Sequence, residues 1–427
     1  MNRTNPWSWA ALGLLTSATL APMAIADDWP SFRGADRSGV AADKNLLEQW
    51  PAEGPAMIWE GTGAGRGYAS VAVADGKLFT LGDGLSDAPD AEEYLSCFDL
   101  QSGKRLWIAK TGSPWTEGQP SWQSSRGTPT VDGDRVYVIT PFGVLLCCNT
   151  ADGKEKFRVD LKGNYGGKKG DSWGYSESVL IDGNRLICTP GGEEATMVAL
   201  DKRTGELVWK CARAGDRGAG HASLVLYEPA GRRVYVQTTA SGALGVDAAS
   251  GKLLWEYPID QTTAVIPTPI VRGDLVFFSA GYKRGGALLK QAKDGDGVKI
   301  EEIYGLKTEL ANKHGGIVLV GDYLYGDSDD QGIPFCAELM TGKVVWKKRG
   351  SGRGSAAFTA ADGHIYVRFS DGTLALAKAD PGDYTEVGSF KIPNSSERPS
   401  WAHMAIVDGK LILREQDKIY CYDLRRP

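Results

Sequence analysis

The chain has 427 residues, 42% of them hydrophobic and 24% charged, with a formal net charge of −5. That is ordinary globular composition with ample length for a core. A mildly acidic chain without a basic run is a poor match to nucleic acid, while 55 glycines and 13 tryptophans point to many turns and many large packing anchors.

From the N-terminus, residues 1–26 read as a secretory signal peptide. Arg3 supplies the positive start, Trp9 to Leu20 is a short apolar run, and Ala24-Ile25-Ala26 is a small-x-small cleavage site before Asp27. The run is too short, and too broken by Pro22 and hydroxyl residues, to span a membrane. Cleavage at about Ala26/Asp27 places the mature chain in the periplasm or outside the cell. Residues 27–55 then form an N-terminal extension, and 56–427 a repeat domain. Seven cysteines are an odd number, so at least one stays free or pairs between chains.

One motif recurs: Asp-x-x-(Ser/Thr/Asp)-Gly-(Lys/Glu)-x-x-aromatic. It occurs as DLQSGKRLW (Asp99 to Trp107), NTADGKEKF (Asn149 to Phe157), DKRTGELVW (Asp201 to Trp209), DAASGKLLW (Asp247 to Trp255) and ELMTGKVVW (Glu338 to Trp346). The Asp or Asn can hold turn amides, the Gly can take positive φ, and the next strand ends in a large ring. Ahead of each copy stand two short apolar strands around a turn glycine: Gly76, Gly133, Gly183, Gly231, Gly273, Gly321, Gly363 and Gly409. Eight such units at this spacing predict an all-β fold, an eight-bladed β-propeller of four-stranded blades. The last unit stops after Asp423 without an outer strand. AMIWEG (Ala56 to Gly61) resembles KLLWEY, so an N-terminal strand carrying Trp59 is expected to close the ring.

These repeats resemble the quinoprotein-like (PQQ-like) propeller family. That family includes quinone-dependent alcohol dehydrogenases and an outer-membrane assembly factor that binds no cofactor. The segment WPSFRGADRSGV (Trp29 to Val40) is similar to the opening of exported propellers of unassigned function. The resemblance implies that Trp59, Trp107, Phe157, Trp209, Trp255 and Trp346 dock blade against blade. An alcohol-oxidising member would need a carboxylate base, oxygen ligands for Ca²⁺, an Arg near the quinone and commonly a disulfide between neighbouring cysteines. Cys147 and Cys148 are adjacent, but Cys147 occupies the repeat position of Cys97, Cys336 and Cys421, and successive strand side chains point to opposite faces. A disulfide between them would distort the strand.

The remaining candidates fall at the mouth of the central channel. Aligning the units places Tyr68, Arg126, Ser176, His221, Ile266, His314, Ser355 and Trp401 in one register, with Glu177 and His403 beside it. Three of the four histidines share this register. His221, His314 and His403 come from blades four, six and eight, which argues against a shared metal ion. Trp122 and Trp173 lie on polar loops near the same mouth and are unexplained by the repeat. Tyr68, Arg126, Glu177, His221, His314, Trp401, His403, Trp122 and Trp173 are thus the expected ligand or partner site, suited to a protein or a small polar ligand such as a sugar. No catalytic set and no metal site stand out. The acidic stretches Asp294 to Gly297 and Asp327 to Asp330 read as solvated turns. The expected role is that of a monomeric exported scaffold or binding protein without cofactor. The alternative is a PQQ-dependent dehydrogenase of alcohols or sugars, with calcium.

Overall fold

The recurring Asp-x-x-x-Gly turn builds each blade from the chain outward. In blade 1 the Asp99 carboxylate accepts from Ser102 N at 2.8 Å, and Gly103 N donates to Asp99 O at 2.9 Å. Gly103 sits at φ +68°, a region open to glycine. Asp201 and Asp247 repeat the arrangement, accepting from Thr204 N at 3.0 Å and from Ser250 N at 2.9 Å. Each turn joins the third strand of a blade to its outer strand. The computed structural model describes Met1 and residues 28–427 apart from 86, 89–91, 261, 262, 264, 296, 394 and 395. The expected signal peptide therefore lies, Met1 aside, outside the described residues.

Eight four-stranded antiparallel sheets make up an eight-bladed β-propeller. Seven take their strands in chain order. In the eighth, Met57–Thr62 pairs with Lys418–Asp423, so that Trp59 stands opposite Cys421 and the N-terminal strand closes the ring.

The docking rings use a common geometry. The indole N–H of Trp107 donates to Thr150 O in the next blade at 3.2 Å, that of Trp59 to Leu100 O at 3.0 Å, and that of Trp346 to Asp380 O at 3.0 Å. Each ring covers the turn of the following blade, and Phe157 and Trp209 likewise cover Gly205 and Gly251. Trp255 donates instead to Gln291 Oε1 at 2.7 Å. In blade 5, which lacks the motif, Tyr304 packs on Gly342 and its hydroxyl donates to Leu339 O at 3.0 Å. Cys97, Cys147, Cys336 and Cys421 stand opposite a docking ring in the register. All seven cysteines are free and buried, and Cys147 and Cys148 face different inter-blade cores.

The first part of the N-terminal extension, residues 29–41, runs along the inner strands in the central channel. Its later part crosses blades 7 and 8, where Trp50 N donates to Val387 O of an outer strand. Trp29 pairs with Val73 of blade 1, and Pro30 O accepts from Val131 N of blade 2. Arg33 donates to Gly315 O at 3.0 Å and Ile317 O at 2.5 Å beside blade 6. Arg37 donates to Ser178 O at 2.9 Å, to Leu224 O at 2.8 Å and to Val179 O, clamping blades 3 and 4. Ala41 N reaches Ala360 O of blade 7 at 2.8 Å. Both arginines adopt left-handed φ, +66° and +62°, a strained choice held by these contacts. Burial lowers each guanidinium to about 10, which leaves both charged at neutral pH.

One acidic stretch departs from expectation. Asp327 is fully buried and takes no part in a solvated turn. Its carboxylate accepts from Asn312 Nδ2 at 2.7 Å and Ala356 N at 3.0 Å, and burial pushes its pKa up to about 8. The strand ending at Asp327 points this side chain inward between blades 6 and 7, a placement that local charge could not reveal.

Candidate functional site

The loop leading into each inner strand brings one side chain to the channel mouth. Tyr68, Arg126, Ser176, His221, Ile266, His314 and Trp401 each stand four positions ahead of an inner strand, which begin at Ala72, Thr130, Leu180, Val225, Ile270, Val318 and Ala405. All seven line one open cavity of about 170 Å³. His403, Trp122 and Trp173 join them. Ser355, from the same register in blade 7, is not part of the lining.

Aromatic rings form most of the wall. The Trp401 indole stacks on His314 with centroids 4.7 Å apart and lies 4.9 Å from the Tyr68 ring. Trp122 meets Trp173 edge-on at 5.3 Å and Trp401 at 6.4 Å. Arg126 lies 5.4 Å from the Tyr68 ring and 5.9 Å from that of Trp173, within cation–π range. Its guanidinium also donates to Ser124 O and Trp122 O, while the Tyr68 hydroxyl donates to Ser121 O. These bonds hold the Pro120–Trp122 turn, and so the Trp122 ring, over the mouth.

The floor is Phe32, from the channel segment, 4.8 Å from the His403 ring. His403 Nε2 bonds the carbonyl of His314 at 3.1 Å. His221 lies between Ser176 Oγ, 2.6 Å from Nδ1, and Asp171 Oδ2, 2.9 Å from Nε2. Burial lowers the imidazole pKa to about 4 for His221 and about 3 for His314 and His403. At neutral pH the three rings are uncharged. The lining cations are Arg126, lowered to about 10 by burial, and Lys313.

Glu177 does not belong to this cavity, contrary to expectation. It is buried one position past Ser176, in the loop that leads into Leu180, and its side chain turns below the surface. There its carboxylate accepts from Thr189 N at 2.7 Å, Thr189 Oγ1 at 2.9 Å and Gln237 Nε2 at 2.9 Å. Burial pushes its pKa up to about 7. The cavity lining contains no carboxylate and no cysteine. Among the described residues no group of three or more His, Cys, Asp or Glu side chains could hold a metal. The lining thus offers an arginine and tryptophans, but not the carboxylate base, carboxylate ligands for calcium or paired cysteines implied by the dehydrogenase branch.

Residues 91–348 match the family described as outer membrane protein assembly factor BamB. The chain belongs to this family. Over 168 residues it is 29% identical to the outer membrane protein assembly factor BamB of Xanthomonas campestris pv. campestris, covering 38% of this chain and 39% of that relative. Over 312 residues it is 20% identical to the factor of the same name from Moranella endobia, covering 70% of this chain and 64% of that one. The matched stretches thus span less than two thirds of either relative. The crystal structure of BamB from Moraxella catarrhalis superposes with a TM-score of 0.59 at 14% identity, over 87% of this chain and 98% of that one. A quinohemoprotein alcohol dehydrogenase from Comamonas testosteroni gives 0.63 at 12% identity, over 94% and 81%. At such identities these two structures show the shared PQQ-like propeller fold alone.

In this BamB-family propeller, sequence register found the ring of mouth residues but missed its floor and one wall. Phe32 lies in a segment whose course through the channel no repeat encodes. Tyr282 and Lys313 come from loops of irregular length, and the Lys313 ammonium lies 4.9 Å from the Tyr282 ring. Lys313 precedes a register position directly, which was the one available signal.

Proposed function

We propose that this chain is an exported propeller that works by binding, gripping a side chain or short segment of a protein partner at the channel mouth. The observation that carries this reading is the cavity itself. Trp122, Trp173, Trp401, Tyr68 and Tyr282 converge there with Arg126 and Lys313, and none of these aromatic rings has a blade-docking task. Aromatic residues and arginine are enriched where proteins bind proteins. The volume, about 170 Å³, falls below the roughly 300–1,000 Å³ of sites that engulf whole small ligands. It suits one side chain, or one sugar ring, projecting from something larger. Family membership supports a partner in outer-membrane assembly and a periplasmic location.

The test is site-specific photo-crosslinking in the producing cell. A benzophenone amino acid at position 122 should trap a discrete protein, identified by mass spectrometry. The same group at Leu106, on an exposed outer strand, should not. Trp173→Ala should reduce the yield at least several-fold. A yield unaffected by Trp173→Ala, or equal trapping from both positions, would count against the cavity as the grip.

A further inference from the structure

Four serine and threonine hydroxyls line the cavity, and three of them serve the backbone. Ser70 Oγ accepts from His403 N at 2.7 Å, Thr128 Oγ1 from Ser70 N at 3.1 Å, and Ser223 Oγ from Ser178 N at 3.0 Å. Ser176 differs. Its Oγ lies 2.6 Å from His221 Nδ1, and the far nitrogen of that ring lies 2.9 Å from Asp171 Oδ2. The three residues come from two loops that the chain fixes firmly. Tyr175 and Glu177, on either side of Ser176, are both buried, and Tyr175 donates its hydroxyl to Pro190 O at 2.7 Å. His221 N donates to Val265 O at 2.6 Å. Asp171 accepts from Trp173 N at 3.2 Å and lies 3.7 Å from the Lys169 ammonium.

The protonation pattern follows from these partners. Burial disfavours the Asp171 carboxylate, but the hydrogen bonds from His221 and the Trp173 amide, with the charge of Lys169, outweigh it and hold the group ionised. An ionised Asp171 accepts a hydrogen bond from the Nε2–H of a neutral His221. That leaves the Nδ1 lone pair facing the Ser176 hydroxyl, which donates to it. A hydroxyl donating to an imidazole that is itself oriented by a carboxylate is the arrangement of an activated nucleophile. Here the two ring nitrogens exchange the roles they hold in the serine proteases.

We propose that Ser176 is an acyl-accepting nucleophile, with His221 as its general base and Asp171 as the residue that positions the ring. The substrate class is a carboxylic ester whose acyl part enters the aromatic cavity. Ser176 Oγ bonds to the carbonyl carbon while its proton passes to His221 Nδ1. The bond to the leaving alcohol breaks as that proton is handed to the alcohol oxygen. Water then attacks the acyl-serine, gives one proton to His221 and releases the acid as the proton returns to Ser176. Ester and water become acid and alcohol, with no redox change. Arg126 and Lys313, in the same lining, make the cavity electropositive, which favours an anionic intermediate. This goes beyond the binding reading and does not depend on it.

The experiment uses the full chain and a fluorescent fluorophosphonate, with the adduct mapped by mass spectrometry. The expected adduct is on Ser176. Ser176→Ala should abolish it, and His221→Gln should slow it by about 100-fold or more. Hydrolysis of p-nitrophenyl acetate and p-nitrophenyl benzoate should fall in parallel, while the near-ultraviolet circular dichroism of both variants stays native. Asp171→Asn keeps the shape but not the charge, and should slow labelling by at least tenfold. An unlabelled Ser176 in the native protein, or labelling that His221→Gln leaves unchanged, would overturn the proposal.

Discussion

The six-membered ring of the Trp59 indole lies against Gly103 so closely that a Cβ added to that glycine would come within 2.4 Å of it. This contact joins the N-terminal strand of blade 8 to the turn of blade 1, and thereby seals the ring. The glycine is demanded twice, once by its φ of +68° and once by the indole. Gly76 has nearly the same φ, +69°, but nothing stands within 4 Å of its added Cβ.

The pair separates backbone strain from crowding. Gly76→Ala should cost about 1 kcal/mol, the price of the left-handed conformation. Gly103→Ala should cost about 3 kcal/mol, because the indole must also move. Urea denaturation of both variants reads the difference. Equal losses would mean that the Trp59 contact is not tight.

Arg37 should matter more than a channel-lining residue ordinarily does. Its replacement by Met removes the side-chain donor to the carbonyls of Ser178 and Leu224, while Val179 O keeps only the Thr130 hydroxyl. A loss of about 3 kcal/mol is expected. Amide exchange should quicken first around the inner strands of blades 3 and 4. A neutral substitution would show that the channel segment is not fastened there.

Acid stability should carry the mark of the buried imidazoles. Burial, and secondarily Arg33, lowers His403 from 6.5 to about 3. Below a pH of about 6.5 the unfolded ring binds a proton that the folded ring refuses. The stability due to this group is thus complete above that pH and drains away as pH falls toward 3. His403→Gln lacks it. From about pH 6 to pH 4, wild-type stability should fall more steeply than that of the variant, by up to about 1.4 kcal/mol per pH unit. Parallel slopes would mean that His403 titrates normally in the folded protein.

The cysteines should be silent until the protein unfolds. Burial pushes the thiols of Cys97, Cys148, Cys336 and Cys421 up to about 12 and that of Cys211 to about 11, with Cys147 and Cys188 also raised. Iodoacetamide should label none of them at an appreciable rate in the native protein. After unfolding without reductant, intact mass should show seven labels. Five labels, with both missing from the Cys147–Cys148 peptide, would restore the redox reading of that pair.

The repeat made the ring legible because its parts are local. Turn glycines, an Asp that ties its own loop and an aromatic ring at fixed spacing act within one unit, so reading one unit reads the others. The mouth register of Tyr68, Arg126, His221, His314 and Trp401 followed from the same spacing. Glu177 was misplaced because a one-residue step along an extended chain reverses the side chain, and the loop before Leu180 gave no mark of which residue faced out. Phe32, Arg33 and Arg37 were beyond reach for another reason. Their partners, among them Gly315, Leu224 and Val179, lie on distant blades, and nothing in the local sequence names them. Of the Ser176, His221 and Asp171 cluster the register brought the first two to one mouth, but Asp171, five residues before Ser176 on an irregular loop, carried no mark that it would meet His221.

The channel segment also sets the order in which this molecule can be completed. Asp43 accepts from Gly409 N across 366 residues, and Trp59 waits for Cys421. Contacts of such long range form late and slowly. The earliest described part of the chain therefore has no finished place to go until the final blade has been made. A chain cut short within that blade loses its circular seam and the support of its hub together, so progressive truncation should abolish the native state abruptly rather than blade by blade.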